Sequence, residues 1–183
     1  VVDVTVAQFE DGDIDENEAA RRLGETAAGK NIRVGIANTG RVNLFAAVDG
    51  LVDFDPVQID AVNAIDEGIT VATLRPFERV NANQISATIK IIPFAVAENH
   101  LAAAETRASV DGALVHLRPF QPHRVALLQT TLPGVQTKIL QKTSSVIGTR
   151  IQDLNSTLSD DRQTAHDAGA VALLDECVQV VAV

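Results

Sequence analysis

Apolar and polar positions are patterned most clearly in the last third of the chain. Residues 125–129, Val-Ala-Leu-Leu-Gln, form a continuous apolar run, the pattern of a strand buried on both faces. Thr130-Thr131-Leu132-Pro133-Gly134 follows as a loop. Ile139, Leu140, Thr143, Val146, Ile147, Arg150, Ile151 and Leu154 then recur at spacings of three and four. That period predicts an amphipathic helix over about 136–154, apolar on one face except at Thr143 and Arg150. Residues 157–162 read as a polar, edge-like strand, a helix begins after His166-Asp167, and 178–183 is a second apolar run. Strands alternating with helices predict the first part of a doubly wound parallel sheet, with the ligand crevice at the carboxyl ends of its strands.

The first two thirds carry shorter patterns. Val1 to Val6 alternates like a strand, and 9–14 is an acidic turn. Asp15 is an expected N-cap with Glu18 three residues on, a capping-box arrangement. The helix carries Ala19, Ala20, Leu23 and Ala27 and stops at Gly29. A short strand is read at 32–36, then a polar turn at Asn38-Thr39-Gly40-Arg41 running into an apolar stretch. Asp55-Pro56 predicts a second helix start, with Val57, Ala61, Val62 and Ile65 on one face and Ile59 off it. Residues 69–74 read as a strand. Ile85, Ala87, Ile89 and Ile91 alternate with Ser86, Thr88 and Lys90, the period of a half-buried strand closed by Pro93. An alanine-rich helix at 97–108 and a strand at 113–117 follow. The prolines of Arg118-Pro119-Phe120-Gln121-Pro122 mark a linker. The organisation expected is a mixed α+β segment at 1–117, a linker at 118–124, and the beginning of an α/β domain at 125–183.

Composition narrows the function classes. Of the 183 residues, 46% are apolar, enough for a core, and no apolar run approaches a membrane span. A formal net charge of −9 argues against nonspecific nucleic-acid binding, which needs a basic footprint. The single cysteine, Cys177, excludes an internal disulfide and fits a cytoplasmic protein. With no methionine and a start inside a strand pattern, the chain is expected to be part of a longer protein. The loop after the third strand would then follow Val183.

Candidate chemistry is sparse. No glycine-rich dinucleotide fingerprint or Walker loop follows any strand, which disfavours conventional NAD or ATP binding. Thr39-Gly40-Arg41 reads as a glycine turn with a surface arginine, Lys90 as a solvated lysine, and Asp66-Glu67 as a carboxylate pair without histidine partners. Asp167 reads as a helix cap and His166 as a loop histidine. The stronger candidates surround the loop after 125–129: Gln129, Thr130, Thr131 and Gly134, with Lys142 in the helix. Lys138 and Lys142 lie near the helix start, where a cation opposes the helix dipole unless it meets an anion.

The run His123-Arg124-Val125-Ala126-Leu127-Leu128-Gln129-Thr130-Thr131-Leu132-Pro133-Gly134, with Lys142-Thr143 and His166-Asp167, resembles the start of a molybdopterin-binding domain. That domain is shared by molybdopterin adenylyltransferases, molybdenum insertases and gephyrin. Upstream, Thr39 to Phe45, Asn63 to Glu67 and Ala87 to Phe94 are similar to a bacterial group of molybdopterin-binding proteins often fused to a cofactor nucleotidyltransferase domain. The resemblance covers nearly the whole chain.

It implies molybdopterin as ligand, bound by Gln129, Thr130, Thr131, Gly134 and Lys142. The function implied is cofactor binding during molybdenum-cofactor biosynthesis or maturation. One alternative is a nucleotidyltransferase acting on molybdopterin, with Mg2+ and catalytic residues outside these 183. Another is a non-catalytic interaction module. The loop 130–134 lacks the carboxylate that the catalytic relatives use, which favours binding. Beyond the small anionic pterin, the expected partners are a second copy or other molybdenum-cofactor proteins, with neither nucleic acid nor membrane.

Overall fold

Asp15 ends a short strand, β1 (Asp13–Asp15), and caps helix α1 (Glu16–Ala27) in the computed structural model, which describes residues 8–167, 169, 170, 172 and 173. Its carboxylate accepts from the amides of Asn17 at 2.9 Å and Glu18 at 3.3 Å. Glu18 does not close a capping box; it pairs with Arg21 at 2.6 Å instead. The chain divides into two compact units, Val1–Pro119 and Phe120–Val183. The expected strands at 1–6 and 178–183, and Cys177, lie outside the described residues.

The first unit is built on a four-stranded antiparallel sheet. Its strands are β2 (Ile32–Val34), β3 (Arg41–Ala46), β5 (Ile69–Thr73) and β7 (Ile85–Ile91), in the order β2-β3-β7-β5. Between them in sequence lie β4 (Gly50–Asp53), helix α2 (Pro56–Asn63) and β6 (Arg79–Val80). Then come β8 (Ala95–Ala97), helix α3 (Glu98–Ser109) and β9 (His116–Pro119). A second sheet has the order β6-β4-β9, and β1 pairs with β8; all these pairings are antiparallel. One face of the larger sheet supplies Val42, Leu44, Ala87, Ile89, Ile91, Ile69 and Val71 to a single core that includes Leu23 of α1 and Leu101 of α3. Helix α1 lies close to β3: a Cβ on Gly24 would stand 2.7 Å from Val42 Cγ1.

Two expected faces differ from those observed. In α2 the buried residues are Ile59 and Val62, and Val57 is exposed, because positions three apart share a helix face. In β7 the register shifts where Phe45 pairs with Ile85, so the inward alternation fails there. Ile85 turns outward and Ser86 is buried, its hydroxyl without a hydrogen-bond partner.

The second unit contains β10 (Arg124–Thr131), helix α4 (Thr137–Gln152) and β11 (Thr157–Ala165). Strands β10 and β11 pair in parallel, the one parallel strand pair among the described residues. Leu140, Ser144, Ile147 and Ile151 form the half-buried side of α4.

The expectation of an α/β fold with a partial doubly wound parallel sheet is therefore corrected. Most strands pair antiparallel, in sheets of two to four strands. Strands of a doubly wound sheet are covered on both faces. Here β11 alternates exposed and half-buried positions, and Val125 to Leu128 of β10 are only half-buried. Among the described residues no helix is long and apolar enough to cross a membrane.

Candidate functional site

Because β10 and β11 run in parallel, their carboxyl ends reach the same edge, with Thr130 opposite Thr164 and Thr131 opposite Ala165. Thr130 Oγ1 lies 2.9 Å from His166 Nδ1. Thr131 donates its hydroxyl to the Thr164 carbonyl at 3.1 Å, and the His166 amide donates to the Thr131 carbonyl at 3.0 Å. These bonds bring two hydroxyls and an imidazole to one end of a short parallel ladder. His166, which the sequence reading set aside as a loop residue, belongs to this group.

The connection from β10 to α4 completes the edge. Gly134 has φ +90°, a region in which side-chain-bearing residues are strained, so glycine is required for this turn. Gln136 precedes α4 without a side-chain capping bond. The first turn therefore presents backbone amides that no capping side chain answers. Leu132 and Val135 expose apolar surface in the same loop. Lys138 lies in the first turn, and helical side chains lean toward the amino end. Hydroxyls, amides, an imidazole, a nearby ammonium and two apolar side chains suit a flat, anionic ligand.

The remaining expected site residues separate from this group. Gln129 is 7% exposed; its Nε2 donates to Ser144 Oγ at 2.8 Å and to Asp161 Oδ1 at 3.3 Å. Its amide donors are thereby engaged in fastening α4 to the strands. Lys142 precedes Ser144 by two residues, about 160° around the helix at 3.6 residues per turn. It lines a 480 Å³ groove with Ile139, Thr143, Val146, Ile147 and Arg150, on the side of α4 away from Gln129. Thr130, Thr131 and the Gly134 loop thus lie together, and Lys142 lies one turn further along α4, lining the groove. Lys138, the other basic residue near the helix start, lies on the same face of α4 as Lys142 but one turn, about 6 Å, nearer the amino end.

The groups at this edge are hydrogen-bonding ones: two hydroxyls and an imidazole. Thr130 and His166 have the spacing of a hydroxyl and a base, but Asp167, the nearest carboxylate in sequence, accepts from the Gly169 amide at 2.8 Å. That carboxylate oxygen is thereby engaged. Among the described residues, no group of three or more His, Cys, Asp or Glu side chains is arranged to hold a metal.

In the first unit, a 180 Å³ cleft lies against Asp53, Asp55, Asp111 and His116. Its polar groups are largely engaged. Asp53 pairs with Arg118 at 2.6 Å, Asp111 accepts from Gln58 at 2.8 Å, and Asp55 caps α2. The Asp66 carboxylate pairs with His100 at 2.5 Å and accepts from the Gly68 amide at 2.7 Å, so a histidine partner exists that the sequence reading missed.

The chain matches no protein-family model, no curated protein and no solved structure.

Proposed function

We propose that the carboxyl edge of β10 and β11 binds molybdopterin, and that the protein serves as a molybdopterin-binding component of molybdenum-cofactor maturation in the cytoplasm. The observation that carries this reading is the pairing of Thr130 Oγ1 with His166 Nδ1 at 2.9 Å beside the glycine turn that opens α4. The phosphate of the ligand would meet the uncapped amides of α4, where the helix dipole favours negative charge. Thr130, Thr131 and His166 would address the polar edge of the pterin, and Leu132 and Val135 would contact its flat face. Lys138 would replace Lys142 as the neighbouring cation. The local amides and this ammonium offset the acidic balance of the chain at contact distance.

Molybdopterin supplies the sulfur and phosphate groups of the cofactor; the residues named here hold and orient them. The chain has no Trp and no Tyr, so pterin fluorescence reports binding without protein interference. Thr130→Val and His166→Gln should each weaken binding at least about tenfold, equivalent to about 1.4 kcal/mol. Unchanged affinity in both, with the far-ultraviolet spectrum intact, would exclude this edge as the site.

A further inference from the structure

We propose that the solvent-facing side of the four-stranded sheet binds a phosphate-bearing small molecule, seated between Arg41 and Lys90. This site is independent of the carboxyl-edge reading, since it rests on other residues in the first unit.

The strand register sets the arrangement. Arg41 lies opposite Lys90, and Lys90 opposite Thr70, forming one row across β3, β7 and β5. The next row on the same face is Asn43, Thr88 and Ala72. Intervening positions Val42, Leu44, Ile89 and Val71 are buried in the core, so the two rows face outward. Arg41 and Lys90 are exposed.

Like charges directly opposite on neighbouring strands destabilise a sheet. Neither cation is paired with a carboxylate among the described residues, although the chain carries 24 acidic residues against 15 basic ones. An anion between them would remove the repulsion. The adjoining row adds donors. Thr88 donates to Asn43 Oδ1 at 2.8 Å, which leaves the Asn43 amide N–H groups for a ligand. Guanidinium, ammonium and amide N–H are all donors, matching the oxygens of a phosphoryl group.

The backbone beneath is well fixed. Asn38 and Arg41 exchange hydrogen bonds at 2.9 and 3.1 Å, and the Ile91 amide donates to the Gly40 carbonyl at 2.7 Å. The Gly40 amide donates to Asn17 Oδ1 at 3.1 Å. A Cβ at Gly40 would stand 2.4 Å from the Ile91 carbonyl oxygen, so this turn tolerates no side chain. Arg41 therefore projects from a rigid strand end, the placement a preformed anion site needs. A third cation extends the face: Arg33 lies 4.7 Å over the Phe45 ring.

The test is a titration of the full chain with pyrophosphate at constant ionic strength, followed by backbone amide NMR. Saturable shifts are expected at Arg41, Asn43, Thr88 and Lys90. Arg41→Gln and Lys90→Gln should each weaken binding at least about tenfold, and Lys90→Arg should retain it. Lys30→Gln, which removes an exposed charge elsewhere, should leave affinity unchanged. The proposal is overturned if no saturable shift occurs on this face, or if Lys30→Gln weakens binding as much as Lys90→Gln. Binding of a polyglutamate peptide in place of pyrophosphate would also overturn it.

Discussion

Replacing Gln129 by Ala separates a residue that holds the fold from one that meets a ligand. The Gln129 side chain is buried and donates to Ser144 and to Asp161. A net hydrogen bond contributes about 0.5–1.5 kcal/mol, and one to a charged acceptor about 1.5–3 kcal/mol. The Asp161 contact is long at 3.3 Å and Asp161 is exposed, so it belongs at or below the lower end. Ser144 keeps its donation to the Leu140 carbonyl at 3.2 Å, which limits the penalty for an orphaned group. The sum is about 2 kcal/mol of local stability, or roughly 30-fold faster opening-limited exchange. Hydrogen exchange of the α4 and β10 amides in the full chain reads this directly. A cycle with Ser144→Ala isolates the pair, with an expected coupling of about 1 kcal/mol. Unchanged protection, or no measurable coupling, would refute the fastening role and return Gln129 to the ligand site.

Three further outcomes are expected. Leu23→Ala, at a fully buried position of α1, should cost about 2–5 kcal/mol in urea unfolding followed by circular dichroism. Gly134→Ala, at φ +90° with open space around the missing Cβ, should cost about 1–2 kcal/mol through backbone strain and weaken molybdopterin binding, as read by hydrogen exchange and pterin fluorescence. The hydrogen bond from Arg22 holds the Glu98 carboxyl below its ordinary range. Its stabilisation is complete above the unfolded glutamate value of about 4.3 and fades as pH falls through the lower folded value. The urea midpoint of the wild type should therefore fall more steeply below about pH 4 than that of Glu98→Gln.

Local chemistry was the legible part of this chain. Asp15 and Asp55 cap helices because each carboxylate precedes a run of compatible residues, and both were readable from order alone. The α4 period was readable too, but its apolar arc is wider than the face the strands cover. Ile139 and Val146 lie outside that face and are exposed, whereas Ser144 lies within it. Position along the helix, not phase, separates Lys138 from Lys142: the two share a face, and Lys138 lies one turn nearer the amino end. Strand partners were equally hidden. The alternation in β7 indicated one buried face, yet the bulge opposite Phe45 that exposes Ile85 depends on β3. Strand and helix patterns alternating after Val125 suggested a doubly wound parallel sheet there, whereas the described residues hold one two-stranded parallel pair and antiparallel sheets elsewhere. Gln129 illustrates the same limit: a polar residue ending an apolar run reads as a ligand contact until its burial is known.

Amide and imidazole NMR of the full chain during titration with molybdopterin tests the central claim most directly. The expected result is saturable shifts at Thr130, Thr131, the 132–136 loop, Lys138 and the His166 ring, with Lys142 and the groove beside it unmoved. Binding that leaves the Thr130 and His166 signals unchanged, or no binding at all, would contradict the assignment of the carboxyl edge.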